Sequence, residues 1–230
     1  MRKNHRLWLL ILCFIILLDI WAVFVYVSGG EAVQASYEEE SVPMEHKGYI
    51  ALTFDDGPHP RSTRKLLDGL KERGIQATFF LMGSNIEGNE ELVEEMKLAG
   101  HLIGNHGYSH IQMTKAGAEA TFQSIEKTGH IIEEITGEKP EYWRPPYGEW
   151  NGELEDAVRM TTVLWTLDSL DWKYRSAAPV VRRVLKEAED GDIILMHDIF
   201  DTSVEAALEI VDTLVQQGYT FVTVDELTID

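Results

Sequence analysis

Cysteine is almost missing from these 230 residues: Cys13 is the only one, and it lies inside a long apolar stretch. No disulfide can form within the rest of the chain, so its stability has to come from a packed core. Cys13 is also a poor lipidation site, since Leu12 rather than a small residue precedes it. Basic residues are scarce too, with 20 Lys and Arg against 39 Asp and Glu and a net charge of −19. Arg2, Lys3 and Arg6 against Asp19 and Glu31 leave the first 35 residues at +1, so the other 195 carry −20. Nucleic-acid binding rests on a basic footprint, and this balance excludes it. Such acidity is compatible with an uncharged or cationic substrate surface, although it speaks mainly to solubility. No internal repeat and no low-complexity tract is visible.

One run is apolar enough to matter by itself. Residues 7–27 hold a single charge, Asp19, and the basic segment 1–6 precedes them. A bilayer core takes roughly 20 apolar residues in a helix. Basic residues before the run and Glu31 and Glu38 to Glu40 after it orient the amino terminus inward. The run exceeds the roughly 7–15 residues of a signal-peptide core, so we expect an uncleaved signal anchor. Cleavage near Ala35, after Val33-Gln34-Ala35, is the alternative. Either way the rest of the chain is expected outside the cytoplasm. Residues 28–47 read as an acidic linker containing Pro43, and residues 48–230 as the folded domain.

From Gly48 onward short apolar runs alternate with amphipathic segments. Ile50 to Phe54, Ala77 to Met82, Leu102 to Gly104, Thr162 to Trp165, Ile193 to Met196 and Thr220 to Val224 suit strands buried on both faces. Leu66, Leu67 and Leu70 mark one helix, and Leu92, Val93 and Met96 another. Phe122, Ile125, Ile132 and Ile135 mark a third, and Val204, Ala207, Leu208, Val211, Leu214 and Val215 a fourth. Gly74 and Gly100 are expected to stop the first two. Strand–helix alternation with short links predicts an α/β fold with a parallel sheet. About 180 residues is short for a full eight-unit barrel of roughly 250. A distorted, incomplete (β/α) barrel of about seven strands is therefore expected, because the chemically loaded residues follow strands and would meet at one mouth.

Those residues fall in five segments. Asp55 and Asp56 end the first strand, and His106 and His110 are four apart, which would suit one side of a helical turn. A carboxylate and two imidazoles can hold a divalent ion and leave a position for water, with the second carboxylate free as a base. Arg144-Pro-Pro-Tyr147-Gly is stiff because proline restricts itself and its predecessor. Asp168-Ser-Leu-Asp171-Trp172 and Leu195-Met-His197-Asp198 complete the set. Each alone is compatible with a turn, a loop or a solvated face; the ordered set is far more specific.

Together TFDDGP, HGYSH, RPPYG, DSLDW and LMHD resemble the five motifs of the NodB-homology polysaccharide deacetylases, carbohydrate esterase family 4. The resemblance runs from about Tyr49 to the carboxyl terminus. It implies a distorted (β/α) barrel and one divalent metal ion, zinc first, with cobalt, nickel or manganese possible. It implies Asp56, His106 and His110 as metal ligands, Asp55 as catalytic base and Arg144 as the residue positioning it. By the same resemblance His197 is the general acid, Asp168 the acidic partner that tunes it, and the Tyr147 backbone N–H part of the oxyanion site. Trp172 and Leu195 would wall the pocket for the acetyl methyl. The expected activity is removal of N-acetyl groups from an amino-sugar polysaccharide. Cell-wall peptidoglycan leads and chitin-like oligomers follow. Alternatives are an O-acetyl, xylan-type esterase, a related amidase for small cyclic or formyl amides, and a catalytically silent glycan-binding module.

Overall fold

The computed structural model describes residues 16–23, 46–149, 151 and 158–227. The chain divides into two units, 1–43 and 44–230. In the first, residues 16–23 form a helix with exposed side chains. The remainder of the expected anchor at 7–27, the cleavage site near Ala35 and nearly all of the linker lie outside the described residues. Among the described residues no helix is long and apolar enough to cross a membrane.

The second unit is built on one parallel sheet. Its strands are β1 (Gly48–Asp55), β2 (Thr78–Leu81), β3 (Leu102–Asn105), β4 (Tyr142–Trp143), β5 (Thr161–Thr162), β6 (Leu167–Asp168), β7 (Ile193–His197) and β8 (Tyr219–Val222). Their order is β5-β4-β3-β2-β1-β7-β6, with β8 beside β1 off that path. Every pairing is parallel. β5 and β6 end the path without pairing to each other, so the seven-stranded curl stays open. This is the incomplete barrel anticipated above. In β1 every residue except Tyr49 is buried, as a central parallel strand covered on both faces requires.

Among the described residues of the unit the α-helices are α1 (Ser62–Arg73), α2 (Gly83–Ile86), α3 (Glu90–Leu98), α4 (Met113–Ala116), α5 (Ala118–Thr136), α6 (Asp171–Tyr174), α7 (Ala177–Glu187), α8 (Asp201–Gln216) and α9 (Val224–Leu227). Leu66, Leu67 and Leu70 of α1 and Leu92, Val93 and Met96 of α3 turn inward. Each such side chain contributes about 1.5–3 kcal/mol by leaving water. Gly74 and Gly100 follow these helices in the left-handed conformation, as expected of stops. The main core gathers these residues with Ile50, Leu52, Phe54, Phe79 and the inner face of α8. Phe122, assigned above to an apolar face, is exposed. Of the apolar run Thr162 to Trp165 only Thr162 lies in a strand, the two-residue β5, and Asp168 closes a separate strand, β6.

Candidate active site

Parallel pairing sets the first half of the site. Asp55, the last residue of β1, stands opposite Phe80 on β2 and His197 on β7. The carboxyl ends of neighbouring strands thus bring together groups remote in sequence. Arg144 follows β4 and is fully buried. Its Nη1 donates to Asp55 Oδ1 at 2.7 Å and to Thr53 Oγ1 at 2.8 Å. Its Nε and Nη2 donate to the carbonyls of Val163 and Leu164, both at 3.1 Å. The guanidinium lies over the Phe80 ring, 4.2 Å from its centroid. A buried ion pair repays its desolvation only with such full hydrogen bonding. Arg144→Met is expected to lower folding stability by about 3–5 kcal/mol, since Asp55 would be left buried and unpaired. Chemical denaturation measures this, and an unchanged midpoint would contradict it.

Asp56 turns the chain with φ 72°, and Asn85 Nδ2 holds its carbonyl at 2.7 Å. Its Oδ1 lies 3.4 Å from His106 Nε2 and 3.6 Å from His110 Nε2. These three groups form a cluster whose potential ligand atoms lie within 4.8 Å of one another. Asp56 Oδ1 is buried and accepts no hydrogen bond. An orphaned buried oxygen beside two imidazole nitrogens is what a divalent ion would satisfy. His106 Nδ1 donates to the Arg144 carbonyl at 2.8 Å, which leaves the Nε2 lone pair toward the cluster. The residues therefore fit a metal. Burial pushes the Asp56 carboxyl upward, but His106, helped by the charges of His197 and His110, holds it below its ordinary value. Burial outweighs Asp56 at His110 and lowers its pKa, keeping that imidazole neutral and able to ligate.

The two histidines are not on a helical turn, contrary to what their spacing suggested. They flank an irregular loop after β3, where Gly107 sits at φ 76° and a Cβ would meet Met113 at 2.6 Å. Buried Asn105 shapes that loop, accepting from Gly107 N at 2.8 Å and donating to the Ile125 carbonyl at 2.9 Å.

His197 corrects a second expectation. Its Nδ1 is 2.8 Å from Asp171 Oδ1, and its backbone N donates to Asp171 Oδ2 at 2.8 Å. Asp168, expected to be the partner, instead accepts Leu170 N at 2.8 Å and a long contact from Trp172 Nε1 at 3.5 Å. The reason is local geometry. Leu170 takes the left-handed conformation at φ 58° and α6 begins at Asp171, placing that buried carboxylate behind the end of β7. Burial would lower the His197 pKa, but Asp171, with Asp55 and Asp56 behind it, raises it to about 9.

A cleft of about 370 Å³ unites these groups, lined by Asp55, Asp56, His106, His110, Asp168 and His197 together with apolar walls. Tyr147, Trp172 and Leu195 are among the lining residues. Trp165 and Phe200 also line it and were not foreseen, because neither belongs to a charged motif. The Tyr147 ring meets His110 edge-on at 4.3 Å. Among the described residues the non-glycine ones at positive φ are Asp56, Tyr147, Leu170 and Arg175, all at or beside this cleft. Each such conformation costs of order 1–3 kcal/mol and is held only where the surroundings over-determine it. Asp198 was quoted in a motif but given no role. It is fully buried against the Thr63 hydroxyl, and burial raises its pKa to about 7. It packs so closely that a Cβ at Gly57 would lie 2.4 Å from its carboxylate oxygens.

Known proteins carry the same arrangement of chain. The polysaccharide deacetylase family model matches residues 44–164. The peptidoglycan-N-acetylmuramic acid deacetylase PdaC of Bacillus subtilis is 44% identical over 83% of this chain and 40% of its own length. Its solved structure superposes with a TM-score of 0.77, covering 81% of this chain and 92% of that one. The peptidoglycan-N-acetylglucosamine deacetylase PgdA of Listeria monocytogenes is 42% identical over 77% of this chain and 38% of its own. The chain thus spans about two fifths of the length of these two curated relatives. A family 4 acetyl xylan esterase from Clostridium thermocellum, solved with a cobalt ion, is 34% identical with a TM-score of 0.74 and covers 78% of this chain and 89% of that one. A parallel half-barrel with an Asp–His–His cluster at its strand ends, matched by more than half the chain to one family, leaves a single assignment: this protein belongs to the polysaccharide deacetylases.

Proposed function

We propose that the chain is a metal-dependent hydrolase that removes N-acetyl groups from an amino-sugar polysaccharide, with peptidoglycan the leading substrate. The observation that carries this reading is a carboxylate and an imidazole, Asp55 and His197, lining the same cleft as one three-ligand cluster. Asp56, His106 and His110 would hold the ion, and zinc suits this mixed donor set. Bound there, a divalent ion would make water acidic near neutral pH and polarise the acetamide carbonyl.

The chain's own groups supply the rest. Asp55 Oδ1 is engaged by Arg144, so Oδ2, which faces the His106 side of the site at 3.9 Å, takes the proton of the attacking water. As the new C–O bond forms, charge on the carbonyl oxygen falls to the Tyr147 backbone N–H. His197 is anchored through Nδ1 and delivers its Nε2 proton to the departing nitrogen as the C–N bond breaks. Leu195 and Trp172 enclose the methyl. The products are acetate and a free amine on the sugar.

Acetate release from N-acetylglucosamine oligomers, lost on chelation and regained on metal add-back, tests this reading. His110→Ala should lose bound metal by elemental analysis and activity with it. Full activity in chelator would refute it. An O-acetyl esterase is the second reading, supported by the likeness to an acetyl xylan esterase, because esters and amides share a tetrahedral intermediate. The retained base, acid and ligands weigh against a silent binding module. Segment 7–27 would anchor the domain at the outer face of a membrane, where peptidoglycan lies.

A further inference from the structure

Arg175 has no part in this mechanism, yet it packs against Phe200, a residue of the cleft wall. It follows α6 in the left-handed conformation, φ 51°, with its backbone N bonded to the Asp171 carbonyl at 3.0 Å. The same short segment therefore positions both the His197 partner and Arg175. The Arg175 guanidinium stacks over the Phe200 ring at 3.5 Å from its centroid. Phe200 in turn lines the cleft, its ring 6.4 Å from that of His197. Among the described residues no carboxylate pairs with Arg175. Arg159 and Arg182 also lack one, and Arg175 differs from them in stacking on a ring that lines the cleft. Arg61, Arg64, Arg73, Arg144 and Arg183 all have such partners.

A guanidinium stacked on an aromatic ring keeps its in-plane N–H donors free, and that fork matches a carboxylate in bidentate geometry. Stacking also removes much of the rotamer freedom that binding would otherwise have to restrict. From His197, Arg175 is no farther than the two ring separations combined, within reach of a substituent on the sugar under attack or its neighbour. The net charge of the domain opposes an anionic chain at long range, but that repulsion is screened beyond about 8–10 Å in physiological salt.

Resting on the deacetylase reading, we propose that Arg175, held flat by Phe200, is a specificity residue that binds a carboxylate carried by the glycan beside the reacting acetamide. The site would then prefer acidic amino-sugar strands over neutral ones.

The experiment compares peptide-free peptidoglycan strands, whose muramic acid residues bear free carboxylates, with neutral N-acetylglucosamine oligomers. For Arg175→Gln the KM for acidic strands should rise roughly tenfold, the range of one exposed charge-assisted pair, with kcat unchanged. The neutral oligomers should be handled within twofold of wild type. Arg175→Lys keeps the charge but loses the fork, so it should recover only part of the difference. Salt gives a second reading: the gap in KM for acidic strands between wild type and Arg175→Gln should narrow as salt is added, the general repulsion of the domain being common to both proteins. Equal changes on both substrates, or none on either, would overturn the proposal. Should wild type release acetate from neither, the deacetylase reading fails. Calorimetric binding of the acidic strands to wild type and to Arg175→Gln still decides the role of Arg175, since equal affinities exclude it.

Discussion

Asp55→Asn is expected to lower kcat for acetate release by about 10²–10⁴-fold while bound metal stays at the wild-type level. The substitution keeps the shape of the side chain and an oxygen for Arg144 Nη1, so the buried pairing geometry survives. It removes the one property the proposed step needs, an oxygen able to accept a proton from water. Asp56, not Asp55, supplies the unsatisfied oxygen between the two imidazoles, so metal retention should not depend on Asp55. Steady-state acetate release with elemental analysis checks both halves. Activity near wild type would remove Asp55 from the role of base. Loss of the metal would instead make it a ligand.

Asp171→Asn should move the alkaline limb of the pH–rate profile to lower pH, and Asp168→Asn should leave that limb in place. In the proposed role His197 is an acid only while protonated, and a pKa raised to about 9 keeps it so across the neutral range. Activity that needs the imidazolium is therefore complete below that pKa and falls as pH rises through it. Removing the Asp171 charge leaves burial, which favours the neutral ring, so the pKa drops toward or below the ordinary value of roughly 6.5. At pH 8 the variant should be about 10–100-fold slower, with a smaller deficit at pH 6. Stability follows the same sign. A pKa raised on folding stabilises most below the unfolded value, and that contribution fades as pH climbs through about 9. In Asp171→Asn the fading should be absent from thermal melts recorded between pH 6 and 10. A limb displaced by Asp168→Asn instead would restore the partner that the motif resemblance implied.

The choice of Asp168 on the resemblance failed for a physical reason. Asp168 and Asp171 are both acidic, both in one short segment, and both within a turn of the same tryptophan. Choosing between them requires the left-handed turn at Leu170, which propensity cannot foresee because a leucine there is strained. The helical turn inferred for His106 and His110 failed similarly, since Gly107 at φ 76° breaks the period that their separation implies. Strands β4 and β6 are two residues each and carry no periodicity at all. Helix α7 did leave a trace, Val180, Val181 and Val184 at helical spacing, but β-branched residues and Pro179 obscured it. Trp165 and Phe200 entered the cleft from outside the charged motifs, and only their position in space marks them.

Local chemistry determined by itself that the domain is acidic, disulfide-free and α/β, because composition and hydrophobic period act over a few residues at a time. It also determined which side chains could ligate, accept or donate, since those abilities belong to residue types. Distances between such groups are properties of the closed fold. Strand register put Asp55 beside His197, a buried guanidinium joined β1 to the segment after β4, and a strained turn selected Asp171 over Asp168. Each depends on contacts between segments far apart in the chain, and only tertiary packing can specify those.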